Sequence, residues 1–105
     1  WTREARHYAF HRALLAACNS PWMLEFFDRL YAATERYRIP ILLAATHPAD
    51  RDVQAEHSAL AEAALARDAD RAAALLEGHY RKTVEHLSAV IRESEPDLLL
   101  AGAAG

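Results

Sequence analysis

Four histidines occupy positions where a helical protein normally places apolar side chains. His7 and His11 lie four apart in His7-Tyr-Ala-Phe-His11, which sets both imidazoles on one helix face about one turn apart. That face continues through Leu14, Leu15 and Cys18, the inward stripe of an amphipathic helix. His57 interrupts a similar stripe between Val53 and Leu60/Ala64, and His79 another between Leu75/Leu76 and Thr83/Leu87. A buried imidazole has polar nitrogens to satisfy, and neighbouring imidazoles penalise charging either one. A divalent cation answers all of them at once, and imidazole suits Zn²⁺, Ni²⁺, Cu²⁺ and Fe²⁺. His7, His11, His57 and His79 are therefore read as metal ligands. The competing reading of each is a neutral core histidine bonded to a backbone carbonyl.

The remaining chemistry is thinner. His47 precedes Pro48 in an expected loop and reads as solvated. His86 lies two turns beyond His79 and reads as a core histidine, at most capping the far end of a pocket. Gly78, beside His79, costs ~1 kcal/mol relative to Ala within a helix. It either leaves room for a ligand or neighbouring helix or marks a tolerant site. Glu4-x-x-His7 matches half of a di-iron Glu-x-x-His signature, but Gln54 and Leu76 stand three before His57 and His79, so the second copy is missing. Metal-assisted hydrolysis needs a base beside the ion, and Glu56 and Glu77 are expected to point away from the imidazole face. Cys18 has no activating arrangement and no Ser-centred motif is present. The chain is read as a non-enzyme.

These side chains need elements to hold them. At 105 residues the chain suits one domain with a modest core. It is 52% hydrophobic with three Gly and four Pro, too little turn material to connect strands, so an all-α fold is predicted. The first helix is expected over residues 3–18, ended by Asn19-Ser20-Pro21. Ser20 caps the next helix, with Pro21 at its first position. That helix carries Trp22, Met23, Phe26, Phe27, Leu30, Tyr31, Ala33 and Tyr37, an apolar surface broad enough to pack on two sides. Pro40 is expected to kink or break it near Ile39, with residues 41–45 as an apolar continuation. A third helix is expected over about residues 48–67, with Asp50 and Asp52 near its positive end. A fourth, capped by Asp68 or Asp70, runs to about Glu93 and is stopped by Glu95-Pro96, leaving a tail that frays. Short loops make neighbours antiparallel, giving an antiparallel helical bundle with an internal ligand or metal pocket.

The formal net charge is −3, with both signs interspersed and no Lys/Arg stripe, so these residues are poorly suited to gripping phosphate backbones. A single cysteine, Cys18, cannot close an internal disulfide, which fits a reducing cytoplasm. No signal peptide is read, and no apolar run reaches the ~18 residues of a membrane span. The sequence opens at Trp1, without an initiator Met and already in helical pattern, as a fragment of a longer protein would.

Taken together, Phe10-His11-Arg-Ala-Leu, Asn19, Glu56-His57-Ser-Ala-Leu-Ala-Glu-Ala and Arg67-Asp68 followed eleven residues later by His79 resemble the FCD domain. That is the C-terminal effector-binding domain of FadR-type regulators in the GntR family of bacterial transcription factors. The resemblance covers residues 4–92, and places an FCD-like domain over 1–94 and a C-terminal tail over 95–105. It implies a helical bundle behind an N-terminal winged helix-turn-helix, so DNA would be reached only through a domain absent from this chain. It also implies homodimerisation and a small carboxylate effector that reaches an open position on a divalent metal. The family's usual Asp-x3-His pair and its two later histidines fall on His7, His11, His57 and His79. His7 in place of Asp removes one negative charge, which disfavours Mg²⁺ and favours Zn²⁺, then Ni²⁺. A more positive site also attracts an anion more strongly. The opposite reading is a lost metal site whose imidazoles bind the acid directly. Arg12 and Arg36 are candidate partners for the effector's carboxylate. The rivals from other classes are a metal-dependent enzyme on a helical bundle and a metal-free dimerisation module.

Overall fold

A computed structural model describes the backbone of residues 2–43 and 51–103, and the side chains of residues 2–39 and 51–92. The described backbone is helical between short turns, in the order α1 (Arg3–Leu15), α2 (Pro21–Leu43), α3 (Val53–Leu65) and α4 (Ala69–Ala103). The chain divides into two compact units, Trp1–Tyr37 and Arg38–Gly105, and the division falls inside α2.

In the first unit, Thr2 caps α1 by accepting the Ala5 N–H at 3.1 Å, and Glu4 lies in the first turn at the positive end. The helix ends at Leu15, short of the expected residue 18. Asn19 takes a left-handed φ of 56°, a conformation asparagine tolerates better than most residues. The Cys18 N–H turns back onto the Leu15 carbonyl at 3.0 Å, tightening the end of the helix. Ser20 then caps α2 through its hydroxyl, which accepts the Met23 N–H at 3.2 Å, and Pro21 is the first helical residue. Both features match the sequence expectation. Contacts between α1 and α2 run in opposite chain directions. Glu4 meets Tyr31, while Tyr8 and Arg12 meet Asp28. The pair is antiparallel, and Tyr8 stacks on Phe27 with centroids 6.0 Å apart.

The expected two-sided packing of α2 is met on one side among the described residues. Phe27 and Tyr31 face α1, whereas Trp22, Met23, Phe26 and Leu30 are exposed, Trp22 by 83%. Pro40 does not break the helix near Ile39, because α2 continues to Leu43. A proline removes one donor and crowds the carbonyl four residues earlier, at ~3 kcal/mol. That cost is local, so flanking residues with their own ladder bonds can carry the helix through. His47 and residues 44–50 lie outside the described residues.

In the second unit, α3 starts at Val53, where Asp52 accepts the Ala55 N–H at 3.0 Å. The expected start near residue 48 is corrected: Asp52 is the cap itself rather than a residue of the first turn. The turn that follows is a Schellman motif. Arg67 takes a φ of 56°, its N–H meets the Ala64 carbonyl, and the Asp68 N–H meets the Ala63 carbonyl, both at 3.0 Å. Asp68 caps α4 by accepting the Arg71 N–H at 3.2 Å. The Arg67-Asp68 pair thus closes one helix and opens the next. Leu60 and Ala63 are the buried apolar residues among those described in this unit, and His79 and His86 on α4 are buried as well. Glu56 meets His79 and Arg51 meets Thr83, so α3 and α4 are antiparallel.

Pro96 does not stop α4, and the stretch expected to fray continues as helix to Ala103. The flanking Leu, Ala and Glu residues are strong helix formers and offset one lost ladder bond. Gly78 sits mid-helix, and a Cβ added there would meet no described atom within 4 Å. Gly78→Ala is therefore expected to stabilise the fold by ~1 kcal/mol. The check is a higher urea midpoint with an unchanged slope.

Candidate metal centre

The first unit supplies one imidazole pair. His7 Nε2 and His11 Nε2 are 3.1 Å apart, with the rings edge to face and centroids 4.6 Å apart. Two nitrogens bound to one ion at ~2.0–2.1 Å lie on the order of 3 Å apart, so this spacing is that of a chelating pair. His11 is buried and His7 half-buried. The other ring nitrogen of His7, Nδ1, lies 3.0 Å from Tyr31 Oη, and that hydroxyl donates to Glu4 Oε1 at 2.8 Å.

The second unit supplies another pair. His57 on α3 and His79 on α4 have ring centroids 4.7 Å apart, and each offers a ligand nitrogen within 4.8 Å of the other's. His79 Nδ1 lies 2.8 Å from Glu56 Oε1. Arg51 grips the Glu56 carboxylate with two bonds, Nε to Oε2 and Nη2 to Oε1, both at 3.1 Å. Arg51 Nη2 also donates to Thr83 Oγ1 at 2.8 Å, and that hydroxyl donates to the His79 carbonyl at 2.9 Å. These side chains are shielded from water: Arg51 is 8% exposed, His79 5% and Glu56 13%. Burial pushes the Glu56 carboxyl up, but the hydrogen bonds and charges of Arg51 and His79 outweigh it and hold its pKa at about 2. An ionised carboxylate only accepts, so His79 Nδ1 is the donor, and in the neutral ring the lone pair then lies on Nε2. A carboxylate behind an imidazole fixes tautomer and ring orientation in metal sites.

Glu56 therefore corrects the expectation that it points away from the imidazole face. Its side chain lies on one face of α3, but its partner is on α4, and residues 56 and 57 can both meet the same neighbouring helix. Glu77 does point away, pairing with Arg81 at 2.7 Å on the exposed side. Arg51 and Tyr31 are further residues that periodicity did not single out. Arg51 precedes the cap of α3, and Tyr31 reads as one aromatic among many on the α2 stripe. Of the candidate effector-binding residues, Arg12 pairs with Asp28 at 3.4 Å, and Arg36 lies over the Tyr37 ring at 4.9 Å. Asp28 also accepts the Tyr8 hydroxyl; that bond, burial and the nearby carboxylate charge push Tyr8 up. His86 is buried on α4, as its position on the stripe predicts.

In each unit the paired donors are imidazole nitrogens, a kind of donor that fits a borderline cation such as Zn²⁺ and suits Mg²⁺ or Ca²⁺ poorly. The FCD domain profile matches residues 3–82, running through both units. The chain belongs to the FCD domain family. The family resemblance carried by Phe10-His11, Glu56-His57 and Arg67-Asp68 is borne out, and so is the all-α fold.

Two curated relatives match this FCD domain. One is the "Uncharacterized HTH-type transcriptional regulator BphR" of Paraburkholderia xenovorans (strain LB400), 47% identical over 83 residues, covering 77% of this chain and 32% of the relative. The other is the "HTH-type transcriptional repressor GlaR" of Escherichia coli (strain K12), 36% identical over 78 residues, covering 72% of this chain and 36% of the relative. The chain spans about a third of the length of these relatives. No solved structure matches it. Both relatives are named as transcriptional regulators. No helix among the described residues is long and apolar enough to cross a membrane.

Proposed function

We propose that this FCD domain is the ligand-sensing part of a cytoplasmic GntR-type transcription regulator that binds a small organic acid. In this reading His7, His11, His57 and His79 together hold one divalent cation, Zn²⁺ ahead of Ni²⁺. The observation that carries it is the 3.1 Å approach of the His7 and His11 Nε2 atoms, a chelating distance on a single rigid helix. The His57–His79 pair and the carboxylate behind His79 support it, as does a family profile that spans all four residues. When bound, the cation supplies a positive centre with room for a carboxylate oxygen. Arg12 and Arg36 are the cations offered to the rest of the acid.

The regulator acts as a homodimer, and DNA is reached through a helix-turn-helix domain outside these residues. For the acid to change DNA binding, it must prefer one dimer arrangement over the other, since equal affinity shifts nothing. The test is metal content after dialysis, for wild type beside His11→Ala and His57→Ala. About one equivalent of metal is expected in wild type and little in either variant, with saturable acid binding and no turnover. Equal and negligible metal in all three proteins would leave a metal-free module.

A further inference from the structure

The contact behind His7 differs from the one behind His79, and its hydrogen-bond direction is fixed from the far end. Tyr31 Oη donates to the Glu4 carboxylate at 2.8 Å. A tyrosine hydroxyl has one proton, so toward His7 Nδ1, 3.0 Å away, the oxygen acts as acceptor. His7 Nδ1 then carries the ring proton, and the lone pair lies on Nε2, the atom 3.1 Å from His11 Nε2. In the ion-free protein His11 Nε2 is the donor in that contact. Glu4 reinforces the arrangement directly, with Oε2 3.8 Å from His7 Nδ1.

We infer that Tyr31 and Glu4 are positioning residues for His7, a relay that holds the ring in the tautomer able to bind a cation through Nε2. The consequence for metal rests on the proposed function above; the tautomer itself does not. Local spacing supports the relay. Glu4 and His7 are three apart on α1, so their side chains rise on one face, and α2 brings Tyr31 across both. The Tyr31 ring is also packed against Tyr8 at 5.0 Å and Phe27 at 5.7 Å, so a phenylalanine would keep that packing and lose only the hydroxyl. The relay places a carboxylate behind an imidazole through one hydroxyl, where the second unit places Glu56 directly.

The test compares wild type, Tyr31→Phe and Glu4→Gln by two measurements. Ring ¹H–¹⁵N correlation spectra of the metal-free protein at pH 8 report which nitrogen of His7 bears the proton. Chelator competition reports zinc affinity. Wild type is expected to show His7 protonated at Nδ1. Tyr31→Phe is expected to move the proton toward Nε2 and to weaken zinc about 10- to 100-fold, the range for losing an outer hydrogen-bond partner of a ligand. Glu4→Gln still accepts the tyrosine proton through its amide oxygen, so it should keep the tautomer and lose less affinity. A purely structural role for Tyr31 would change unfolding without changing the ring spectrum. Tyr31→Phe with wild-type spectrum, or with wild-type zinc affinity, overturns the relay. Wild type that takes up no zinc overturns the metal reading instead, and the ring spectra then decide the relay alone.

Discussion

Glu56→Ala is expected to destabilise the fold by about 3–5 kcal/mol, the cost of removing one partner from a buried ion pair. Arg51 is 8% exposed and donates two of its hydrogen bonds to Glu56. Without the carboxylate, the guanidinium is left on the Thr83 hydroxyl and the His79 carbonyl. Desolvating a cation against neutral acceptors alone is unfavourable. Glu56→Gln keeps the shape and an acceptor, and is expected to cost less than the alanine change. Urea unfolding checks both, and a loss under about 1 kcal/mol for Glu56→Ala would show that the carboxylate does not hold this network. The same group sets an acid limit. Its folded pKa, about 2, lies below the ordinary carboxyl value of 4.5. A lowered pKa means that the stabilisation is complete above 4.5 and is lost as pH falls from there toward 2. At ~1.36 kcal/mol per unit this amounts to at most about 3 kcal/mol. Glu56→Gln should flatten the stability profile over that window.

How far such features could be read from sequence depends on how local their cause is. The His7–His11 pair follows from helix geometry alone, and Ser20 and Asp68 announce their caps because a short polar side chain before an apolar run has few other roles. His57 and His79 stand apart in sequence, yet each breaks an apolar stripe, and two stripes that pack must bring such breaks near each other. Glu56 gave no such signal. Helical periodicity places a residue relative to its own helix alone, whereas the partner of Glu56 is 23 residues away on α4. Arg51 and Tyr31 were hidden for similar reasons, one outside any helix and one inside an aromatic stripe that packing already explained. Pro40 and Pro96 misled in the other direction. A proline reads as a stop because its local cost is certain, but the residues on either side decide whether the helix resumes. Arg67 shows the same limit: nothing in an arginine announces a left-handed backbone, and the requirement comes from the turn it closes.

Zinc is expected to raise the unfolding free energy by about 4 kcal/mol at a thousandfold excess over its dissociation constant, because it binds the folded chain and not the unfolded one. The informative quantity is this increment rather than absolute stability. His79→Ala removes a proposed ligand but also disturbs Glu56 and Arg51, so that variant starts from a less stable protein even without metal. His57→Ala and His11→Ala leave that ion pair in place, and both are expected to lose nearly the whole zinc increment. His86→Ala is the control, since His86 is buried on the same helix as His79 but lies outside the proposed ligand set. It is expected to keep the increment while changing the baseline. Glu56→Gln falls between them, with affinity weakened about 10- to 100-fold and the increment reduced by roughly 1.4–2.7 kcal/mol. Imidazole binds metal only when neutral, and free histidine titrates near ~6.5, so the increment should shrink below about pH 6. The measurement is thermal or urea unfolding of each protein with zinc and with chelator. An increment of equal size in wild type, His11→Ala and His57→Ala would place any bound zinc elsewhere on the chain. An increment unchanged down to pH 4.5 would exclude imidazoles as its ligands.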